Sequence, residues 1–384
     1  MVVTRLKHFV AGRVSRLREK MCGNGLDGLI ITEPVEVRYL TGFSGDDSVL
    51  VMAARRKVLV TDSRYIEQVR QECPGLPIKI RKGPISEAAG EVLIKWDLVP
   101  ERSSGKKKIP IVGIDPDAVT VSQFKNYRKA IGKGIKQTKS PVTELRQCKD
   151  NYEIKQINKA VRVAEAAIKK LLAKLKIGIS EREAAAQLEY EMARLGGAPP
   201  AFESIVAWGP HAAQPHARPG NARLRKGQTI LIDWGATVEG YKSDLTRCYS
   251  AGKIRPVFAD VYKCVLEAQM SAIDTVRPGV GLAEVDAAAR KTLRKGLKKL
   301  SKSFGVYEHG TGHGLGLNVH ESPLVSKRSK GELKEGMVIT IEPGIYVPGK
   351  FGIRIEDDVQ VTARGRKVLS RLGKDPESVS LYGA

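Results

Sequence analysis

The sequence has no long hydrophobic run, and charged residues interrupt its first twenty positions. A helix that spans a bilayer needs about 20 consecutive apolar residues, and a secretory signal needs an apolar stretch of about 7 to 15. The 384 residues therefore predict neither a membrane span nor a signal peptide. With 42% hydrophobic and 28% charged residues, the composition is that of a globular protein and argues against a disordered one.

Cysteine is scarce. The five cysteines are odd in number, are scattered along the chain and form no Cys-x-x-Cys motif. This pattern argues against a metal site made of thiolates and favours a reducing compartment. We therefore predict a cytoplasmic protein.

Acidic residues are outnumbered, because 42 aspartates and glutamates face 65 lysines and arginines, for a net charge of +23. A surplus of this size raises nucleic acid as a partner. The charge is spread along the chain, with clusters at residues 106–108 and 290–299. The second cluster alternates with aliphatic residues as on the solvated face of a helix, and it lacks the aromatic residues that stack on bases. We therefore expect nucleic acid to bind, if at all, only non-specifically through a basic surface.

A chain of this length predicts two domains. Strand patterns alternate with helical ones over its first part, which predicts a small α/β domain at residues 1–140. This region has no glycine-rich phosphate loop and no cluster of metal ligands. Pro141 follows a basic, polar stretch, so residues 141–150 are predicted to be a linker.

Residues 151–384 form the second predicted domain. Apolar residues recur every three or four positions from Ile154 to Leu175, which predicts a long helix that Gly178 ends. Ser180 and Glu183 match a capping box at the start of a second helix. Two more helical patterns follow at residues 258–276 and 282–300, so we expect helices laid against a curved sheet.

Two aspartates lie within the stretch TILIDWGATVEGYKSDLTR at residues 229–247. Asp233 follows three aliphatic residues, and burying it ionised without a partner would cost at least several kcal/mol, so a cationic partner is expected. A turn near Gly240 predicts a hairpin that brings Asp233 and Asp244 side by side. The alternative is one structural carboxylate and one solvated carboxylate.

Five of the six histidines fall between residues 211 and 320. His309 and His313 lie in the glycine-rich segment HGTGHG, where the backbone can come close to a ligand. An imidazole held there can bind a divalent metal through one nitrogen while an acceptor holds the other. The alternative for His313 is a hydrogen-bonded histidine of the core.

Further carboxylates follow aliphatic strand patterns. Residues 337–341 end in Glu342, and the alternation around Ile355 places Arg354 and Glu356 on one strand face. The alternative is a surface pair of Arg354 with Glu356, with Glu342 as a turn residue. Four carboxylates and one imidazole suit Mn, Co, Fe or Zn in a paired site. Two such ions about 3.5 Å apart can share a water and lower its pKa enough to supply hydroxide, so the predicted chemistry is hydrolysis.

The contexts IDWG, SDLTR, HGTGHGLGL, IEPGIY and RIEDD resemble, in order and spacing, those of the metal ligands of the pita-bread metallopeptidases. That group includes methionine aminopeptidase, aminopeptidase P and prolidase, with creatinase as a relative. The segments YLTGFSG, TDSRY and LRQCKDNYEI resemble the N-terminal domain and linker of its proline-specific branch. The resemblance implies an α+β chain, with a C-terminal pita-bread (creatinase/aminopeptidase) fold and a smaller N-terminal α/β domain that helps to form a homodimer.

The resemblance also implies functional roles for individual residues. Two divalent ions, manganese first and cobalt, zinc or iron as alternatives, would be held by Asp233, Asp244, His313, Glu342 and Glu356. The implied catalytic residues are His216 in PHAR, His320 in VHESP, and Glu342 as general base. His309 and Arg354 would contact or orient the substrate. The sequence departs from the usual family pattern at His211, Trp234 and Glu308, which bears on substrate preference rather than on the ligands.

The implied function is an Xaa-Pro aminopeptidase that uses a bridging hydroxide to cleave peptides with proline in the second position. An Xaa-Pro dipeptidase is the alternative, because the same ligands and histidines serve both enzymes. An alternative from another class is a catalytically silent binding protein on the same fold. Such proteins usually lose ligands, and this sequence keeps all five.

Overall fold

The computed structural model describes residues 2–99, 109–300, 307, 309–375 and 380–381. Internal contacts divide the chain into two compact units, Met1–Arg146 and Gln147–Ala384. The basic cluster at residues 106–108 and Glu308 lie outside the described residues. Helices and sheets occur in both units, which confirms the predicted α+β class. Among the described residues, no helix is both long and apolar enough to cross a membrane.

The first unit is built on a mixed sheet. Its strands are β1 (Gly28–Ile31), β2 (Ser48–Ala53), β3 (Lys57–Thr61), β4 (Ile78–Ile80), β5 (Val112–Ile114) and β6 (Ile135–Gln137). The order across the sheet is β4-β3-β2-β1-β5-β6, with β1 antiparallel to β2 and parallel to β5. The central strands β1 and β2 are buried at every position, as expected where both faces of a sheet are covered.

Helices alternate with most of the strands of this unit, as the sequence predicts. They are α1 (Val2–Gly23), α2 (Pro34–Thr41), α3 (Ile66–Glu72), α4 (Ile85–Lys95), α5 (Val121–Ile131) and α6 (Pro141–Gln147). The side chains of α4 and α5 pack with the sheet in one hydrophobic cluster. Most of residues 141–150, the stretch predicted to be a linker, is helical, because α6 covers its first seven residues.

The second unit contains four described helices and two larger sheets. The helices are α7 (Asn151–Lys174), α8 (Glu181–Arg194), α9 (Pro256–Thr275) and α10 (Leu282–Lys299). The strands are β7 (Ile205–Trp208), β8 (Thr229–Trp234), β9 (Thr237–Val238), β10 (Tyr241–Lys242), β11 (Leu245–Ala251), β12 (Gly312–Gly314), β13 (Glu321–Val325), β14 (Val338–Ile341), β15 (Gly344–Val347), β16 (Phe351–Arg354), β17 (Asp357–Thr362), β18 (Gly365–Val368) and β19 (Ser380–Leu381). One sheet has the order β19-β11-β8-β7 and the other has the order β13-β12-β14-β17-β18.

The four helices predicted for the second unit are confirmed, with one correction to a helix end. The capping box at α8 is confirmed, because the Ser180 hydroxyl accepts from the Glu183 amide at 3.2 Å and the Glu183 carboxylate accepts from the Ser180 amide at 2.8 Å. The prediction that Gly178 ends α7 is wrong, because the helix ends at Lys174 and Leu175 is already extended. Gly178 instead serves the following turn, where its φ is +92° and its amide donates to the Leu224 carbonyl.

The predicted hairpin around the two aspartates forms. Strands β8 and β11 pair antiparallel, and the short strands β9 and β10 extend the connection to a turn at Glu239 and Gly240. Both turn residues have positive φ, at 51° and 81°, as a tight two-residue hairpin turn requires. Trp234, at the end of β8, is fully buried, and its indole N–H donates to the Ala164 carbonyl of α7 at 3.0 Å.

Gly312 allows β12 and β14 to approach closely. A Cβ atom at this position would lie 1.9 Å from the Thr340 carbonyl oxygen, which belongs to the backbone and cannot swing away. The next residue is His313, so the absence of a side chain at Gly312 sets how near that imidazole comes to the end of β14.

We expect Gly312→Ala to lower stability by about 2 kcal/mol or more, because overpacking against backbone forces a local shift. Gly12→Ala in helix α1 is the matched control, since nothing lies within 4 Å of its added methyl group. That control should be neutral or stabilising, because alanine favours helix over glycine. Urea unfolding of both variants measures the difference, and equal stability would contradict the close approach of β12 to β14.

Candidate functional site

The hairpin holds Asp233 and Asp244 in the protein interior. Asp233 lies on β8 opposite Thr246 of β11, and Asp244 directly precedes β11. Their exposed fractions are 7% and 5%. The Asp244 amide donates to a carboxylate oxygen of Asp358 at 3.1 Å, which ties this end of the hairpin to β17. Both aspartates are buried, so the alternative of one solvated carboxylate is wrong.

His313 lies on β12, and its ring is fixed by the backbone. Its Nδ1 donates to the Gly314 carbonyl at 3.1 Å, which leaves the lone pair of Nε2 available. Nε2 lies 3.3 Å from Glu342 Oε1 and 3.7 Å from Asp244 Oδ2. A hydrogen bond on one nitrogen with the other facing carboxylates is the arrangement typical of metal-binding histidines.

The side chains of Glu342 and Glu356 extend toward His313 from two different turns. Glu342 follows β14, where its amide donates to the Thr311 carbonyl at 2.8 Å and its Oε1 accepts from the Thr340 hydroxyl at 3.2 Å. Glu356 lies between β16 and β17, and its Oε2 accepts from the Thr246 hydroxyl at 2.6 Å. With only 1% of Glu356 exposed, the alternative of a surface pair with Arg354 is wrong.

The side chains of this region form groups whose ligand atoms lie within 4.8 Å of one another. The three groups are Asp233, Asp244 and Glu356; His313, Glu342 and Glu356; and Asp244, His313 and His320. The first two groups share Glu356. The structure therefore brings together all five of the predicted metal ligands.

Two carboxylate oxygens of this cluster lack a hydrogen bond. Asp233 Oδ1 and Glu356 Oε1 are buried, and neither has a partner among the described residues. Buried polar atoms are normally hydrogen-bonded, and a buried charge normally has a counter-charge. Oxygen donors with one imidazole are ligands for a divalent transition metal, so the residues present fit such an ion.

Electrostatics in the cluster supports the same fit. Burial, followed by repulsion from Glu356, Asp233 and Glu342, raises the pKa of Asp244 well above its usual value. Burial and repulsion from Glu342 and Asp233 do the same to the pKa of Glu356. Without a cation these groups must take up protons or repel one another.

Arg354 is the cationic partner expected for Asp233. One terminal nitrogen donates to Asp233 Oδ2, the other donates to the Tyr346 hydroxyl at 2.5 Å, and Nε donates to Thr246 Oγ1 at 3.1 Å. The Arg354 side chain is 4% exposed. It holds one oxygen of Asp233 and leaves Oδ1 free to face the other ligands.

The predicted histidines lie at the margin of the cluster. The ring of His320 stands edge-on to that of His313, with centroids 4.4 Å apart, and its residue is exposed. His309 Nδ1 lies 2.8 Å from the Gly310 carbonyl oxygen, and its Nε2 lies 3.4 Å from the Tyr346 hydroxyl. His216 is exposed, and the preceding residue, Pro215, accepts a hydrogen bond from Arg354 at 3.2 Å.

A second buried ion pair, which the sequence analysis missed, supports Glu356. Arg247 donates to the Glu356 carbonyl at 2.5 Å and to Asp357 Oδ1 at 2.7 Å. Burial would raise the pKa of Asp357, but Arg247 and Lys374 lower it to about 2. Arg247 ends the stretch SDLTR and Asp357 lies within RIEDD, so both motifs contained the signal without indicating that the residues pair.

His211, one of the departures from the usual family pattern, is held by a buried carboxylate. Its Nδ1 lies 2.8 Å from Glu181 Oε2. Glu181 also accepts from the amides of Trp208 and Gly220, each at 2.9 Å. The structure therefore gives His211 a fixed orientation in the short 3-10 helix, Gly209–Ala213, that precedes Pro215.

Comparisons with known proteins cover both units. Residues 155–363 match metallopeptidase family M24, and residues 13–148 match the creatinase/prolidase N-terminal domain. The chain is 33% identical to an Xaa-Pro dipeptidase of Pyrococcus furiosus, over 94% of this chain and 99% of that protein. It is 32% identical to an uncharacterised peptidase of Bacillus subtilis, with the same coverage of each chain.

Solved structures resemble the chain over nearly its whole length. An Xaa-Pro dipeptidase from Bacillus anthracis matches with a TM-score of 0.87 and 31% identity, over 95% of this chain and 99% of that one. An X-Pro aminopeptidase from Thermotoga maritima matches with a TM-score of 0.82 and 33% identity, over 91% and 97% of the two chains.

We expect removal of divalent cations to lower the unfolding temperature, and to lower it more at pH 8 than at pH 5.5. The folded-state pKa values of Asp244 and Glu356 are raised above their ordinary values, so the cation-free folded protein binds more protons than the unfolded chain. Its stability therefore falls as the pH rises toward those raised values. Calorimetry with and without a chelator measures both shifts.

Asp244→Asn should abolish most of the cation-dependent rise in unfolding temperature. Asp260→Asn is the matched control, since Asp260 is exposed on α9. It should keep the full rise. A cation-dependent rise in Asp244→Asn as large as in the unaltered protein would contradict the proposed ligand.

Proposed function

Because this chain belongs to metallopeptidase family M24, we propose that it hydrolyses Xaa-Pro dipeptides at the bond before proline. Family membership makes it a metallo-exopeptidase related to prolidases. The observation that carries the proposal is the convergence of four carboxylates and one imidazole with two buried oxygens that lack a hydrogen-bond partner in the described structure.

An Xaa-Pro aminopeptidase is the second candidate. Two of the proteins reported above, from Pyrococcus furiosus and Bacillus anthracis, are named Xaa-Pro dipeptidases, which favours the dipeptide as substrate. The Thermotoga maritima structure, at a similar identity, is named an X-Pro aminopeptidase. The two candidates differ in whether residues after proline are accepted.

We assign two divalent ions to the cluster, with manganese as the first choice and cobalt, zinc or iron as alternatives. Asp233, Asp244 and Glu356 would hold one ion, and His313, Glu342 and Glu356 would hold the other, because these groups lie within 4.8 Å and share Glu356. When bound, such ions polarise the scissile carbonyl and lower the pKa of a water molecule toward neutrality.

Glu342 is the proposed general base. Its carboxylate faces the cluster, where Oε1 accepts from the Thr340 hydroxyl at 3.2 Å and lies 3.3 Å from His313 Nε2. A carboxylate fixed in this way can take the proton of the attacking water and pass it on to the departing proline nitrogen. The neighbouring Thr311 carbonyl accepts from the Glu342 amide and fixes the turn that presents the side chain.

His320, His216 and His309 are proposed to act on the substrate. Partial burial and then the neighbouring His313 lower the pKa of His320, which favours its neutral imidazole. A neutral imidazole can donate its N–H to the oxygen of the scissile carbonyl as negative charge develops there. Arg354 orients Asp233 and Tyr346, and Tyr346 in turn meets His309, so the substrate-facing histidine is tied to the ligand set.

The remaining expectations stay predictions. They are a homodimer, a cytoplasmic location, and non-specific contact with nucleic acid. The binding-protein alternative is disfavoured because the chain retains all five ligand side chains in one cluster.

His320→Gln should leave the metal content unchanged and lower kcat by about 100-fold, since a positioned proton donor typically contributes a factor of that order. Metal analysis and steady-state kinetics on the same preparation test this. His8→Gln, at an exposed position of α1, is the control and should retain full turnover. Full turnover in His320→Gln would remove its proposed role.

The manganese-loaded protein should cleave Gly-Pro and leave Gly-Pro-Ala intact, and a chelator should abolish the cleavage. Chromatography of the products measures both reactions. Release of glycine from the tripeptide would establish the aminopeptidase instead. If the metal-loaded protein cleaves neither peptide, the result would contradict an Xaa-Pro hydrolase and favour the binding protein.

A further inference from the structure

A cavity of about 630 Å³ in the first unit is lined by the paired strands β3 and β4 and by the C-terminal end of helix α4. None of its lining residues belongs to the carboxylate cluster. Six of them are cationic: Arg18, Arg55, Arg56, Lys57, Lys79 and Lys95. A volume of this size is in the range of pockets that hold small organic ligands.

The positive charge of this cavity is largely uncompensated. Glu91 is the acidic residue in its described lining, and Lys79 pairs with it at 2.8 Å. In the part of the chain that the structure describes, no carboxylate forms an ion pair with any of the other five cations. Arg18 Nε is also buried without a hydrogen-bond partner among the described residues.

Two of these cations repel each other across a partly buried space. Burial, and then the neighbouring Arg18, lowers the pKa of Lys57 below its usual value. Like charges that are held together away from bulk water are stabilised by an anion between them. Arg18 and Lys57 are partly buried, whereas Arg55, Arg56 and Lys95 are exposed. The cavity therefore combines a partly buried pair of cations with three exposed ones in its lining, and this arrangement favours an anion.

The wall of the cavity is apolar. Val58 and Val92 are buried in the hydrophobic cluster of the first unit, and Ile78 and Trp96 line the cavity beside them. Trp96 is only partly buried, so its ring offers a surface for stacking. Inorganic phosphate would leave this apolar wall exposed to water, whereas a ligand with a ring would cover it.

We propose that this cavity binds a nucleotide with two or more phosphates. The arginines match phosphate oxygens in a bidentate manner, and Lys57 and Lys95 add point charges. The base lies against Trp96 and the neighbouring aliphatic side chains. Five cations without ion-pair partners among the described residues match the charge of a polyphosphate better than that of a single phosphate.

Calorimetric titration with ATP at about 0.15 M salt tests the site, since screening at this salt suppresses diffuse attraction. We expect one ATP per chain, with a Kd at least 10-fold lower than that of tripolyphosphate or adenosine. Quenching of Trp96 fluorescence should accompany binding, because Trp208 and Trp234 are buried at 2% and 0% exposure. Equal affinity for tripolyphosphate and ATP would overturn the role of the apolar wall.

Charge reversal locates the site. The double variant Arg56→Glu and Lys95→Glu should weaken ATP binding at least 10-fold, and so should Arg55→Glu with Lys95→Glu. Lys125→Glu with Lys129→Glu changes the net charge equally at exposed positions of α5 and should leave the Kd within twofold. Thermal unfolding checks that each variant is folded.

The last measurement is a competition between ATP and a single-stranded RNA of 12 nucleotides. ATP should displace any RNA bound at the cavity, and the two charge reversals should weaken both ligands together. An equal loss of ATP affinity in the α5 control, no binding of ATP at 1 mM, or RNA binding that both charge reversals weaken but ATP does not displace would each overturn the proposal.

Discussion

Four carboxylates, of which Asp233, Asp244 and Glu356 are buried and Glu342 is partly buried, lie within reach of one imidazole and repel one another. Arg354 neutralises one oxygen of Asp233, and Arg247 neutralises Asp357 directly behind Glu356. Neither arginine satisfies Asp233 Oδ1 or Glu356 Oε1, and in the described structure these oxygens stay without a hydrogen-bond partner. The arginines thus compensate charge at Asp233 and behind Glu356, and the two oxygens without partners remain available to a cation, which would stabilise the buried carboxylates in their ionised form.

The ligands come from two sheets that a few polar contacts tie together. Asp233 and Asp244 belong to the β8–β11 hairpin, whereas His313 and Glu342 lie on or beside β12 and β14. Thr246 links the two sets, because its hydroxyl donates to Glu356 and accepts from Arg354. Within the second of these sheets, Gly312 lets β12 approach β14 closely, which brings His313 near Glu342. The histidines at the margin then face a site whose charge is already set.

Local features of the sequence were predictable where a local cause exists. The amphipathic spacing of α7, the capping box of α8 and the turn at Gly240 are each confirmed, because each depends on residues a few positions apart. The fold class and the family are confirmed as well, and they followed from motif contexts rather than from periodicity. The partners of the arginines were not predictable, since Arg354 and Asp233 are 121 positions apart. The cationic cavity was not predictable either, because its lining combines residues from α1, β3, β4 and α4 that lie far apart in the sequence.

The claim that connects these observations is that the five ligands form one site for two ions. Crystals grown with manganese and measured at an X-ray energy where manganese scatters anomalously would test it most directly. We expect two anomalous peaks, one beside Asp233 and Asp244 and the other beside His313 and Glu342, with Glu356 contacting both. A single peak, or peaks that do not contact Glu356, would contradict the shared site.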